Sequence, residues 1–585
     1  MLRDARKEIL NLVKNKLLKI IALSILLAVT PISYAALYLH TQILGISGPT
    51  LENVKNRLTI KQKTEFATIT PQAIQSFYKT APKEIELALQ PFGYFHTQIT
   101  SLLTSKNNQW YAIYKIKLGQ PIQITSLDIK IGGQGANDPI FKNFLATLPL
   151  HVGMPLQTEQ YEDVKKSFLD LALSNGYLQA NIEQNILKIN PVNNTSAVVL
   201  HFNTGHHYKI GNVNFATQTF SKDFLERFLP FKQGNFYTAQ KIQELQNNLT
   251  NSNLFTQVSI IPQTNTPQDD AIPIEVLLTP RKKVQYDLGL GYGTDTGVRG
   301  LAGIGVRHLT KAGQSLNTLI KYSQTQRDME VHYLIPGKNP VTDRYDLSAA
   351  AEWQNQSYGN SQAFKISAGY VTSIFQNWQQ TLRLSLQQER YNYVDKPKQH
   401  SFFLIPSYNL LHVETDNPVR PTRGHRINIT IQGSADSIIS DMTFLQTQVD
   451  LKYLQPLSSV NSIVLRGTVG YTAINDILSL PLSLQYFTGG AQTVRGYNYN
   501  KFGPGRHLLI GSAELRQKII PDWYAIGFFD AGNAGSSFFN MGLKRGVGLG
   551  MIWLSPVGTI SLSYAKALDS PGNPGMIQFS MGPEF

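Results

Sequence analysis

The stretch GGAQTVRGYNYN, residues 489–500, sets an arginine between an apolar residue and a glycine in a region that otherwise reads as β-strands. An arginine so placed suits three chemistries: reading a nucleic-acid base, catalysis, or a structural lock through a planar, directional bond to a carboxylate. Two further motifs offer carboxylates. FFDAG places Phe528, Asp530 and Gly532 at F-x-D-x-G spacing, and TDNPVRPTRG places Asp416, Pro421 and Gly424 at D-x4-P-x2-G spacing. Other reactive groups are scarce. The chain has no cysteine, hence no thiolate nucleophile, disulfide or Cys-ligated metal. His206-His207, the only adjacent histidine pair, lies at a repeat boundary with no third ligand nearby and reads as exposed loop. No G-x-S-x-G occurs, which disfavours an appended esterase or phospholipase. The glycine runs GLGYG (289–293) and GVGLG (546–550) have period two and no following Gly-Lys-Ser/Thr. They suit strands that bend or approach closely, not phosphate loops. No catalytic residue, metal, cofactor or enzymatic activity is expected.

The elements that position these residues begin with a leader. Arg3, Arg6, Lys7, Lys14, Lys16 and Lys19 precede an apolar run from Ile20 to Val29, then Pro31 and Ser33-Tyr34-Ala35. The run is about half of the roughly 20 residues a spanning helix needs. Residues 1–35 are therefore expected to be a signal peptide cleaved after Ala35. The formal charge is +14, of which the leader carries +4, leaving +10 beyond it. A basic exported chain suits anionic lipid head groups, lipopolysaccharide or an acidic partner better than nucleic acid, and no nucleic-acid partner is expected.

Next come repeats. LGQPIQITSLDI (118–129) aligns with TGHHYKIGNVNF (204–215), Gly119, Ile124, Leu127 and Ile129 matching Gly205, Ile210, Val213 and Phe215 at one offset of 86. Tyr161, Val164, Phe168 and Leu171 give helical spacing, as do Ile242, Leu245 and Leu249. Each helix runs into a turn and then a strand, at Gly93-Tyr94-Phe95, Gly176-Tyr177-Leu178 and Asn253-Leu254-Phe255. Three strand–helix–helix–strand–strand units are expected over residues 36–119, 120–204 and 205–282. Beyond residue 283 strands alternate: Leu382, Leu384 and Leu386 oppose Arg383 and Ser385; Ile427, Ile429 and Ile431 oppose Arg426, Asn428 and Thr430; Ile560, Leu562 and Tyr564 oppose Thr559, Ser561 and Ser563. The end of the chain places Ile577, Phe579, Met581 and Phe585 at even spacings. Such alternation, broken by turn-rich loops, predicts a transmembrane barrel of about 16 antiparallel strands over residues 283–585.

The turn glycines and the opening strand of each unit resemble polypeptide-transport-associated (POTRA) domains; the third copy departs in lacking the turn glycine. With the D-x4-P-x2-G, VRGY and F-x-D-x-G motifs in order and the aromatic terminus, the chain resembles the Omp85 superfamily over nearly all of its length beyond the leader. That resemblance implies α+β POTRA repeats in the periplasm before an all-β barrel in the outer membrane. It implies that the sixth extracellular loop folds into the lumen, where Arg495 of Val494-Arg495-Gly496-Tyr497 meets Asp530, with Tyr497 and Phe528 packing nearby. It makes Ile577, Phe579, Met581 and Phe585 a targeting strand. Three repeats and 550 residues beyond position 35 are most similar to the TamA branch. By resemblance the partners are a TamB-like, inner-membrane-anchored protein, unfolded outer-membrane β-barrel clients and outer-membrane lipid. The implied function is insertion of barrel proteins such as autotransporters; a two-partner-secretion-type export pore and an outer-membrane anchor of a phospholipid conduit remain alternatives.

Overall fold

The computed structural model describes residues 38–582, apart from 63–69, 107–108, 265–266, 268–269, 295, 357, 376, 395–396, 418–419, 438 and 556–557. The expected leader and Phe585 lie outside the described residues.

Three small sheets open the chain. The first holds β1 (Tyr38–Leu44), β2 (Gln98–Lys106) and β3 (Gln109–Lys117); the second β4 (Gln123–Gly132), β5 (Asn181–Asn190) and β6 (Thr195–Asn203); the third β7 (Lys209–Ala216), β8 (Phe255–Pro262) and β9 (Ala271–Pro280). All three share one order, the first strand beside the third and the third beside the second. In the first two sheets the first strand runs parallel to the third, with helices carrying the chain from the first strand to the second and a hairpin joining the second to the third. In the second unit the helix Thr158–Ser174 buries Tyr161, Val164, Phe168 and Ala172 against Val198, Leu200 and Phe202. Ala172 takes the buried position next to Leu171, one residue further round the helix than the sequence pattern suggests.

The turns explain the glycines. Gly93 and Gly176 sit at φ 85° and 88°, and Asn253, which replaces glycine in the third copy, sits at φ 60°. Asparagine is the ordinary second choice for this left-handed conformation. At Gly176 a Cβ would lie 2.5 Å from the Tyr237 carbonyl oxygen, while Tyr208 N–H donates to Gly176 O at 3.0 Å. Glycine is needed there for close approach as well as for φ.

Compactness divides the chain into Met1–Lys209 with Phe236–Ala239, and Ile210–Asn235 with Gln240–Phe585. Within the second unit one 16-stranded antiparallel sheet curls into a near-closed barrel. Its strands are β10 (Val284–Gly293), β11 (Gly297–Val306), β12 (Ser315–Tyr322), β13 (Gln326–Pro336), β14 (Arg344–Gln356), β15 (Gly359–Phe375), β16 (Trp378–Tyr393) and β17 (Gln399–Thr415). They continue with β18 (Gly424–Ser434), β19 (Phe444–Pro456) and β20 (Asn461–Ala473). Two short strands, β21 (Tyr486–Thr488) and β22 (Phe502–Gly505), pair within the following loop. The barrel resumes with β23 (His507–Ile520), β24 (Trp523–Gly535), β25 (Lys544–Ser555), β26 (Gly558–Ala567) and β27 (Gly575–Gly582). Leu382, Leu384, Leu562 and Tyr564 are about half exposed on the outer face, whereas Ser563 is buried inside. This apolar-out, polar-in alternation is what lipid demands. Among the described residues no helix is long and apolar enough to cross a membrane.

The third repeat abuts the start of the barrel. Arg227 Nη1 donates to Gly337 O at 2.8 Å, and Ser221 N–H to Lys311 O at 2.9 Å. Those turns therefore lie on the repeat side of the barrel, together with Val284 and Gly582.

Candidate functional site: a loop locked in the barrel lumen

The connection between β20 and β23 is the sixth on the rim opposite the third repeat. It turns inward, and its arginine is buried, 4% exposed. Arg495 Nε and Nη2 donate to Asp530 Oδ2 and Oδ1 at 2.7 and 2.8 Å, a bidentate pair. Its Nη1 donates to Glu514 Oε2 at 2.7 Å, and its backbone N–H to Asp530 Oδ2 at 3.1 Å. The guanidinium carbon lies 3.4 Å from the Phe528 ring centroid, a cation–π stack. Asp530 is 0% exposed and also accepts from Ser512 Oγ at 2.6 Å. Glu514 in turn accepts from Arg516 Nε at 2.9 Å.

Alternation of strands supplies this chemistry. Ser512, Glu514 and Arg516 on β23 and Phe528 and Asp530 on β24 face the lumen at period two, and the register sets Ser512 directly opposite Asp530. Small residues then admit the loop. A Cβ at Gly546 would strike the Arg495 carbonyl oxygen, one at Gly548 would strike the Phe528 ring, and one at Gly532 would lie 3.1 Å from Val494 Cγ2. Gly546 of the GVGLG run thus seats the loop itself, and Gly548 makes room for the Phe528 ring on which Arg495 stacks. Gly496 sits at φ 93°, a conformation glycine adopts at least cost.

Val494 and Tyr497 pack with Ala567. Tyr497 Oη donates to Arg545 O at 3.1 Å. The loop also reaches the last described strand: Gly496 N–H donates to Gln578 Oε1 at 3.0 Å, and Gln578 Nε2 donates to Tyr497 O at 3.2 Å. Gln578 is 1% exposed, while Ile577, Phe579 and Met581 pair with Tyr564, Leu562 and Ile560 on the outer face. Glu514, Ser512 and Gln578 belong to none of the sequence motifs; the period-two polar run Ser512, Glu514, Arg516 beside Leu515 is the signal the sequence offers.

The D-x4-P-x2-G motif is elsewhere. It forms the β17–β18 turn on the repeat side, where Asp416 Oδ1 accepts from Thr422 N–H at 2.9 Å and Arg423 N–H at 3.1 Å. Burial would raise the Asp416 pKa, but these bonds and that from the Thr422 hydroxyl outweigh it and hold the pKa below the usual carboxylate value. Pro421 is buried, and a Cβ on Gly424 would lie 2.5 Å from the Glu414 carbonyl oxygen. Of the two adjacent histidines only His206 is exposed; His207 is stacked between Tyr177 and Phe236, with centroids 4.2 and 3.9 Å away.

β10 and β27 end the sheet, and no ladder joins them among the described residues. Phe579 N–H donates to Thr294 Oγ1 at 3.3 Å, and the Tyr292 and Phe579 rings lie 6.5 Å apart. The barrel is nearly closed, with one seam.

Fold and site together define a POTRA-bearing outer-membrane barrel with an arginine-locked loop in its lumen. Comparison with known proteins agrees. Residues 309–585 match the Omp85 superfamily domain, residues 40–118 the POTRA domain TamA domain 1, and residues 208–281 the POTRA family described as surface antigen variable number repeat. The chain is an Omp85 superfamily protein with POTRA domains, located in the outer membrane with those domains in the periplasm. It is 22% identical over 489 residues to outer membrane protein assembly factor BamA of Neisseria meningitidis serogroup B, covering 70% of this chain and 61% of that protein. It is 22% identical over 397 residues to the BamA of Nitratidesulfovibrio vulgaris, covering 61% of this chain and 49% of that protein. The chain thus spans about half to three-fifths of these relatives' lengths. The crystal structure of BamA from Haemophilus ducreyi lacking POTRA domains 1–3 shares the fold, with TM-score 0.65 and 17% identity over 78% of this chain and 99% of that one.

Proposed function

We propose that this chain is an outer-membrane assembly factor, not an enzyme, that inserts β-barrel proteins, autotransporters among them, with a TamB-like partner anchored in the inner membrane. The observation that carries the reading is the seam between β10 and β27, which no ladder joins among the described residues. Each edge offers backbone N–H and C=O groups that lipid cannot satisfy. A client strand that adds there completes its ladder while its apolar face enters the bilayer. Burial and strand pairing drive the step without a nucleotide.

Two features support it. The strands flanking the seam, β10–β12 and β26–β27, have 8 to 10 residues, against 16 or 17 in β15–β17. At a rise of about 3.4 Å and a tilt near 40°, the seam wall is roughly 21–26 Å tall, at or below the apolar band of about 25 Å usual for such barrels, whereas β15–β17 stand roughly 42–44 Å. A wall this short thins the lipid beside it, so a client strand entering there has less hydrocarbon to cross. The TamA-type match of the first POTRA domain supports the TamB-like partner.

The test is reconstitution of the full chain in lipid vesicles with an unfolded barrel client, scored by the gel shift of folded barrels. Faster client folding than in empty vesicles is expected. Unchanged folding, with altered lipid handling but correct barrel insertion on deletion in cells, would replace this reading with that of a lipid-conduit anchor.

A further inference from the structure

The β17–β18 hairpin carries a cluster that the lumen lock does not use. His412 and Glu414 lie two apart on β17, and register places His425 of β18 directly opposite Glu414. They share the outer face with Ile427, Ile429 and Ile431, because Asn409, Asn428 and Thr430 bond to one another on the other side. His412 Nε2 lies 2.9 Å from His425 Nε2 and 3.9 Å from Glu414 Oε2. One ligand atom from each of the three falls within a 4.8 Å group.

His412 is oriented for one role. Its Nδ1 lies 3.0 Å from the Asn377 carbonyl oxygen, which can only accept, so Nδ1 bears the proton. In the neutral ring Nε2 is then a bare lone pair aimed at His425. A carbonyl holding the distal N–H is the usual support of a metal-ligating imidazole. The ring is 8% exposed and stacked on Trp378 at 4.7 Å, so its direction is fixed. Two nitrogens bound to one ion at about 2.0–2.1 Å stand roughly 2.9–3.4 Å apart for right-angled to tetrahedral geometry, which brackets the observed separation. Among the described residues no lysine or arginine forms an ion pair with Glu414, whose side chain is 63% exposed and open to solvent.

We propose that His412, His425 and Glu414 bind a divalent transition ion of the zinc class on the outer face of the barrel. Imidazole nitrogens with one carboxylate suit such an ion better than calcium or magnesium, and an open position remains for water. The ion clamps β17 to β18 beside the turn that Asp416 organises. A spacing search misses the site because strand register, not sequence distance, joins His425 to the H-x-E pair.

Tag-free full-length protein in detergent, stripped with chelator, is titrated with zinc by calorimetry, and its thermal unfolding is followed with and without zinc. One ion per chain and a zinc-dependent rise in unfolding temperature are expected. His425→Gln, which can still donate a hydrogen bond to His412, loses both effects while retaining the folded-barrel gel shift. Glu414→Gln weakens zinc binding at least tenfold. No stoichiometric zinc uptake by the unaltered protein, or uptake unchanged in His425→Gln, overturns the proposal and leaves a hydrogen bond between two imidazoles.

Discussion

Arg495 directs its side-chain donors and its own backbone N–H at two buried carboxylates, so neither partner of its pair with Asp530 can leave without stranding the other. Breaking such a pair from one side costs about 3–5 kcal/mol. Arg495→Ala and Asp530→Ala are each expected to lose that amount in urea unfolding of the vesicle-bound barrel, and the double variant to lose much less than the sum. Additive losses would mean that the two residues act separately. Arg495→Lys is not expected to rescue, because a point charge replaces neither the bidentate fork nor the stack on Phe528. Asp416 gives a pH dependence at the same scale. Its folded-state pKa is lowered, so its contribution to the turn is present above the unfolded value of about 3.9 and is lost as pH falls through the folded value. Amide exchange at Thr422 and Arg423, corrected for intrinsic rates, is expected to lose protection on that acid limb in the native chain, with Asp416→Asn flattening the change.

At the scale of elements, the loop joins the β23–β24 wall to β27. Gln578→Leu removes both bonds from β27 to the loop while leaving the Arg495–Asp530 pair intact. Faster amide exchange confined to β27 and residues 494–497 is the expected outcome, against unchanged exchange if the glutamine is incidental. Gly546→Val places atoms where the Arg495 carbonyl lies and is expected to expel the loop, read as protease cleavage between 489 and 500 in the intact barrel. What was legible in the sequence follows from range. The outward set Leu382, Leu384 and Leu386 is fixed by local period, and the αα-bridged repeats by local helical spacing. Asp530 is tied to Arg495 by the family resemblance, not by spacing. Ser512, Glu514 and Gln578 were not legible, because they meet the loop only through the register of strands distant in sequence. Asn253 looked like a defect in the third repeat, yet its φ shows it performing the glycine's conformational task.

For the whole molecule, the sheet has two ends that, among the described residues, meet without a ladder, and the loop holds β27 at one of them. β10 contributes Gly289, Gly291 and Gly293, so it presents little side-chain bulk on one face, while Tyr286, Leu288, Leu290 and Tyr292 occupy the other; a Cβ on Gly291 would lie 3.0 Å from the Met581 methyl carbon. That contact is with the far end of the Met581 side chain and shows that the two strands touch, and the absence of native cysteine leaves the seam free for an engineered bridge. The deciding measurement is client folding in vesicles by protein carrying one cysteine on β10 and one on β27, the pair chosen by verified disulfide formation across the seam, compared oxidised and after reduction. Insertion through the seam predicts that the oxidised barrel loses its acceleration of client folding and that reduction restores it. Full acceleration by the verified, oxidised barrel would contradict it.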